Sequence, residues 1–106
     1  MVDLSEFFET IKIANMVYVL FALDSSDEEL KIGDIWKFIL KETHGSIALK
    51  DQSLRNTVES LVNKGMVKAI KGKKGKRKIN LYRLTPKGKK LVNALKKFLE
   101  ELERQP

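Results

Sequence analysis

Between Lys12 and Asp24 the chain runs for eleven residues, Ile13 to Leu23, without a charge. Crossing a bilayer as a helix takes ~20 apolar residues, so the run reads as a buried helix and not as a membrane segment. Its second half, Met16-Val17-Tyr18-Val19-Leu20-Phe21-Ala22-Leu23, is apolar around the whole helical circumference. A helix on the outside of a small domain buries one stripe only. An all-round apolar helix demands cover on several sides, either as the central helix of its own core or against a second subunit. The second reading is favoured here, a dimer contact through Val17, Leu20 and Phe21. The helix is expected over about 4–23, with Asp3 or Ser5 as cap and Asp3 and Glu6 at the spacing of a capping box.

At 106 residues one domain, 1–106, is the expectation. With no cysteine and a single histidine, His44, the chain has neither a disulfide framework nor the ligands of a structural zinc. No nucleophile stands beside a base and no paired carboxylates lie on an apolar background, so an enzyme is not expected, nor a cofactor. The first residues are acidic where a signal peptide would be basic. A cytoplasmic, nucleoid-associated protein is the reading.

Charge is distributed unevenly. Residues 1–63 hold 6 basic and 11 acidic side chains, net −5; residues 64–106 hold 15 basic and 3 acidic, net +12. From Lys64 through Lys97 there are 14 Lys or Arg and no acid. Such asymmetry points to a polyanionic partner, or to a solvated lysine-rich surface.

After the acidic turn Asp24 to Glu29, Leu30-Lys31-Ile32 reads as a strand stub. Gly33-Asp34 opens a second helix with Ile35, Trp36, Ile39 and Leu40 as its apolar face, Trp36 in the core and Gly45 as its stop. A third helix, about 51–64, starts at Asp51 and ends at Gly65. Leu54, Val58, Leu61 and Val62 fall on one stripe of it, and Gln52, Ser53, Asn56, Glu59, Ser60 and Asn63 stand opposite, with Arg55 on the flank. That outer face carries amides and hydroxyls, which both donate and accept hydrogen bonds. Next come two strands, about 66–70 and 79–84, around the basic Gly-rich segment Lys71 to Lys78. The parity of Ile79 and Leu81 conflicts with that of Tyr82 and Leu84, which implies a bulge or cover on both faces. Thr85 caps a last helix, about 86–104, with Pro86 at its first position. Leu91, Leu95, Phe98 and Leu102 form a heptad-like seam on it, a second candidate for subunit pairing.

Helix, stub, helix, helix, hairpin, long helix is the order of a winged helix-turn-helix, mainly α with a small antiparallel β-hairpin. The run Leu54-Arg55-Asn56-Thr57-Val58-Glu59-Ser60-Leu61-Val62-Asn63-Lys64-Gly65-Met66-Val67 resembles the recognition helix and first wing strand of the MarR and PadR transcription regulators. Tyr82-Arg83-Leu84-Thr85-Pro86-Lys87-Gly88 is similar to their step from the second wing strand into the following helix. The layout looks closest to small PadR-like proteins and their archaeal relatives. Two positions depart from the patterns: Arg55 follows Leu54 where PadR proteins usually place an aromatic, and Lys76 precedes Arg77 where the MarR wing usually has an acid. The resemblance implies a homodimeric transcription regulator that binds double-stranded DNA, with any effector unknown.

The chemistry suits that partner. A helix fits the major groove, where Arg, Asn, Gln and Ser can read base edges, so Gln52, Ser53, Arg55, Asn56 and Ser60 are the candidate readers. Lysine suits phosphate, so Lys71, Lys73, Lys74, Lys76, Arg77 and Lys78 of the wing, about 66–84, are the candidate backbone contacts. Two alternatives stand beside this reading: a sequence-tolerant architectural DNA binder, and a protein-protein module built on the same fold.

Overall fold

The computed structural model describes residues 4–45 and 51–104; for residues 4 and 6–11 and for Lys74 it describes the backbone alone. The expected caps Asp3 and Glu6 and the connection from Ser46 to Lys50 lie outside the described residues and side chains. The elements are α1 (Leu4–Asp24), α2 (Ile32–Glu42), α3 (Asp51–Asn63), β1 (Val67–Lys74), β2 (Arg77–Leu84) and α4 (Pro86–Arg104). This is the mainly helical winged-helix arrangement that the sequence implies. Among the described residues no helix is long and apolar enough to cross a membrane.

α1 is the central helix, packed against α2, α3, α4 and β2. From Met16 to Leu23 none of its residues is exposed: Val19, Leu20, Ala22 and Leu23 are buried, and Met16, Val17, Tyr18 and Phe21 are half-buried. Four elements of the same chain thus bury half of this apolar circumference and partly cover the rest, whereas Ile13, earlier in the same uncharged run, is 61% exposed. This corrects the expectation of a dimer contact at Leu20, which is 2% exposed within a single chain and belongs to its core. Burying such a side chain stabilises the fold by roughly 1.5–3 kcal/mol.

α2 buries Ile32, Ile35 and Ile39 against this helix. Trp36, expected in the core, is 40% exposed, because the stripe centres on the three isoleucines and leaves the indole at its edge. Leu30 alone forms the strand stub, bridging Tyr82 of β2: its N–H donates to the Tyr82 carbonyl (3.0 Å) and its carbonyl accepts from the Tyr82 N–H (2.8 Å). Ile32 already belongs to the helix. At the far end the left-handed C′ position is held by His44 (φ 51) and not by glycine. The His44 N–H donates to Lys41 O and the Gly45 N–H to Leu40 O, the paired bonds of a Schellman ending.

α3 buries Leu54, Val58 and Leu61 completely and ends in the same motif, here with Gly65 at φ +76 as C′ and Met66 N–H reaching back to Leu61 O. The hairpin is longer than the sequence suggests. Its register is unbroken from Val67↔Leu84 to Lys74↔Arg77, so Lys71 to Lys74 and Arg77-Lys78 lie in strands and only Gly75-Lys76 make the turn. Gly75 takes φ +65, which primed hairpin turns require at their first central position. There is no bulge. The parity conflict is resolved because both faces are partly covered: Val67, Tyr82 and Leu84 pack on the core, while Leu81 on the other face lies across Gly72, where a Cβ would approach it to 2.7 Å.

The step from hairpin to α4 is bolted to the end of α3. The Thr85 hydroxyl donates to Gly65 O (2.6 Å) and accepts from the Gly88 N–H (3.1 Å), so one side chain joins the two helices while capping the second. Lys87 Nζ donates to Lys64 O (2.9 Å), placing a cation at the C-terminal end of α3. Gly88 is buried, and a Cβ there would lie 2.1 Å from the Met66 carbonyl oxygen. Each residue of Thr85-Pro86-Lys87-Gly88 therefore has a geometric task.

Candidate nucleic-acid interface

With Leu54, Val58 and Leu61 facing inward, a helix of 3.6 residues per turn turns Gln52, Asn56 and Asn63 most directly outward. All three are exposed. Gln52 Nε2 donates to Asn56 Oδ1 (2.9 Å), so the two amides form one connected unit on the outer face. This bond leaves Gln52 Oε1 as an acceptor and the Asn56 amide N–H groups as donors. Ser53 and Ser60 flank them toward α1, where with Asn56, Thr57, Lys12 and Asn15 they line a cleft of about 410 Å³. Ser53 is exposed, whereas Ser60 is half-buried.

On the other side Arg55 looks toward the wing and, with Gln52, Glu59 and Asn63, shares a cleft with Ala69, Asn80 and Tyr82. Arg55 Nε donates to Asp51 Oδ2 at 3.2 Å, an exposed pair one turn apart. Such a pair contributes roughly 0.3–0.5 kcal/mol and is readily exchanged for another anion. Glu59, also exposed, stands one turn on from Asn56 beside the outward amides, an acid lining the same cleft as Gln52, Arg55 and Asn63.

Cross-strand partners share a face of the hairpin. Lys73↔Lys78 and Lys71↔Asn80 therefore stand on the face that carries Ala69 and Tyr82, the one turned to α3. Lys71, Lys73, Lys76, Arg77 and Lys78 are all exposed, while the Lys74 side chain lies outside the described ones. Lys31, absent from the candidates named from sequence, joins this group: with Arg55, Lys71, Arg77 and Lys78 it lines a cleft of about 400 Å³ between the start of α2 and the wing. The bridge from Leu30 to Tyr82 puts it there, a pairing that the stub Leu30-Lys31-Ile32 hints at in the sequence without naming the partner.

Other lysines of the basic half are used internally. Lys89 and Lys96, two turns apart on one face of α4, both bond the carboxylate of Asp24 at the end of α1. The Asp24 side chain is 5% exposed, against about half for each lysine. These hydrogen bonds, from Lys89 first and Lys96 second, outweigh burial and hold its carboxyl below the usual carboxylate range. With Lys87 on the α3 carbonyl, the basic character of early α4 is partly spent on tying the fold together.

The far end of α4 is different. Leu91 and Leu95 are half-buried and Val92 is buried, but Phe98 is 57%, Leu99 46% and Leu102 51% exposed in the single chain. Of the residues proposed to pair subunits, Phe98 and Leu102 thus present the most apolar surface; Val17, Phe21, Leu91 and Leu95 are half covered and Leu20 is fully so.

A buried three-helix core, an outward helix of amides and a basic hairpin beside it define a winged helix-turn-helix. Solved structures share the fold: a transcriptional regulator from Clostridium thermocellum (TM-score 0.72, 21% identity, covering 91% of this chain and 89% of that one), and a PadR-like transcription factor from Bacteroides fragilis (0.77, 19%, 93% and 92%). A third is Bacillus subtilis PadR in complex with operator DNA (0.65, 21%, 76% of this chain and 45% of that one). The fold is that of the PadR-family regulators. A family model described as EarA-like matches residues 16–95, and the chain belongs to that family. No curated protein matches by sequence.

Proposed function

We propose that the protein is a homodimeric transcription regulator that binds double-stranded DNA sequence-specifically. The observation that carries this reading is the outer face of α3: exposed, hydrogen-bonded amides of Gln52 and Asn56, with Glu59 as the acid beside them, flanked by Arg55 and by the cations of the wing. Bound in the major groove, Gln52 and Asn56 contact base edges, each good contact discriminating by roughly 1–3 kcal/mol. Lys71, Lys73, Lys76, Arg77 and Lys78 hold the phosphate backbone, which fixes register without reading sequence. The fold is shared with PadR, solved in complex with operator DNA, and this supports duplex DNA as the partner.

Dimerisation through α4 is part of the proposal. Phe98, Leu99 and Leu102 form a contiguous apolar strip that the single chain leaves open, and a two-fold pair of such strips buries it. Two subunits then meet half-sites one helical turn apart, 10 to 10.5 base pairs, or a multiple of it. If the dimer neutralises about 8 phosphates, log K falls against log salt with a slope of roughly −7.

Selection from random duplex DNA at two salt concentrations tests the reading. A defined, two-fold symmetric site is the expected result, and Asn56→Ala relaxes it at one position per half-site. Tight binding without any selected sequence would replace it with an architectural DNA binder. No duplex binding even at low salt would leave the fold as a protein-protein module in a regulator-like frame.

A further inference from the structure

We propose that the cleft between the start of α2 and the wing is a second contact for the duplex, a seat for backbone phosphate in which Lys31 is the key cation; this rests on the DNA-binding reading above. Five cations line the cleft, Lys31, Arg55, Lys71, Arg77 and Lys78, and no acid does. Asp34 in the first turn of α2 and Asp51, paired with Arg55, belong to the flanking elements but do not line it. Like charges brought together this closely repel unless an anion joins them, and a space of about 400 Å³ is open between them.

The placement of Lys31 is fixed by backbone, not by chance of a flexible side chain. Leu30, its neighbour, is hydrogen-bonded both ways to Tyr82, so the lysine leaves the chain beside β2. Its stem passes over Gly33, whose missing Cβ would stand 4.0 Å from Lys31 Cε. Lys31 is half-buried, and among the described residues it has no ion-pair partner. A lysine held in this way loses less side-chain freedom on meeting a phosphate than the exposed lysines of the hairpin tip.

The cleft also lies in line with the proposed groove contact. Arg55 borders both this cleft and the one between α3 and the wing, so a phosphate strand running past α3 meets Arg55 and then Lys31. The contact would be indifferent to base sequence, because it reaches the backbone only.

The test is duplex affinity of the full chain measured across a series of salt concentrations for wild type, Lys31→Gln, Lys31→Arg and Lys97→Gln, with melting curves to confirm folding. Lys97 is exposed on α4 and lines none of these clefts. The expected result is a slope of log K against log salt shallower by about 0.9 per subunit for Lys31→Gln, with the sequence chosen from random DNA unchanged and Lys31→Arg and Lys97→Gln close to wild type. An unchanged slope in Lys31→Gln, an equal loss in Lys97→Gln, or an altered selected sequence each overturns the phosphate seat while leaving DNA binding intact. Absence of duplex binding by the wild type overturns both.

Discussion

α1 and α4 both carry more apolar side chains than one stripe of a surface helix needs, and the molecule treats Met16 to Leu23 of the first and the far end of the second oppositely. Around α1 four elements close, and from Met16 to Leu23 nothing is exposed. α4 is gripped only over its first turns, by Gly88 against Met66, by Val92 in the core and by Lys89 and Lys96 on Asp24, and its far end projects with Phe98, Leu99 and Leu102 open. Excess apolar surface is therefore not evidence for a partner by itself. Its position relative to the chain's other elements decides.

The comparison can be broken by substitution. The largest effect is expected at Leu20→Ala, a fully covered site on α1, which should lower the unfolding free energy by about 2–5 kcal/mol in denaturant titration; a loss near zero would mean that α1 is not the core helix. Gly88→Ala comes next. Its Cβ meets a backbone carbonyl that cannot swing aside, and a loss of roughly 1–3 kcal/mol is expected, again by denaturant titration, as the start of α4 is pushed away from Met66.

Asp24→Asn should remove about 1 kcal/mol at neutral pH, an amount set by the half-exposed lysines that face the carboxylate. Its pH dependence is the sharper readout. Because the folded carboxyl titrates below the ordinary value of 3.8, its stabilisation is complete above that value and is lost as pH falls through the lowered one. Thermal melts of wild type and Asp24→Asn should therefore differ at neutral pH and converge in strong acid. A constant difference would assign the effect to packing.

The smallest effect on the single chain is expected at the open end of α4. Phe98→Ser should change its stability by less than about 0.5 kcal/mol, yet convert the proposed dimer to monomer in sedimentation equilibrium, and a monomeric wild type would remove the dimer from the proposal. Retained dimerisation, with Leu102→Ser added, would show that subunits pair elsewhere.

Much of this arrangement was legible from local pattern. The stripe Leu54, Val58, Leu61, the glycine after α3, the turn glycine of the wing and the Thr85-Pro86 start are short-range signals, and the elements form where they indicate. The readings that went astray needed long-range information. Trp36 lies one residue from a buried isoleucine, and its exposure depends on which part of the stripe meets α1. The basic segment read as a loop because lysine and glycine disfavour strands, yet an unbroken ladder carries it nearly to the tip. Leu20 could have faced either a partner or the core, and composition is the same in both cases.

What the sequence by itself determined is the order of elements, the outward amides of α3 and the presence of a basic hairpin, because periodicity, caps and turn chemistry act over a few residues. Only the tertiary structure decided which charges face outward. Lys89 and Lys96 find Asp24 across 65 and 72 residues, Lys87 finds Lys64 across 23, and Lys31 leaves an acidic half to join the wing. A lysine's partner depends on the three-dimensional path of the backbone, and no local pattern encodes that path.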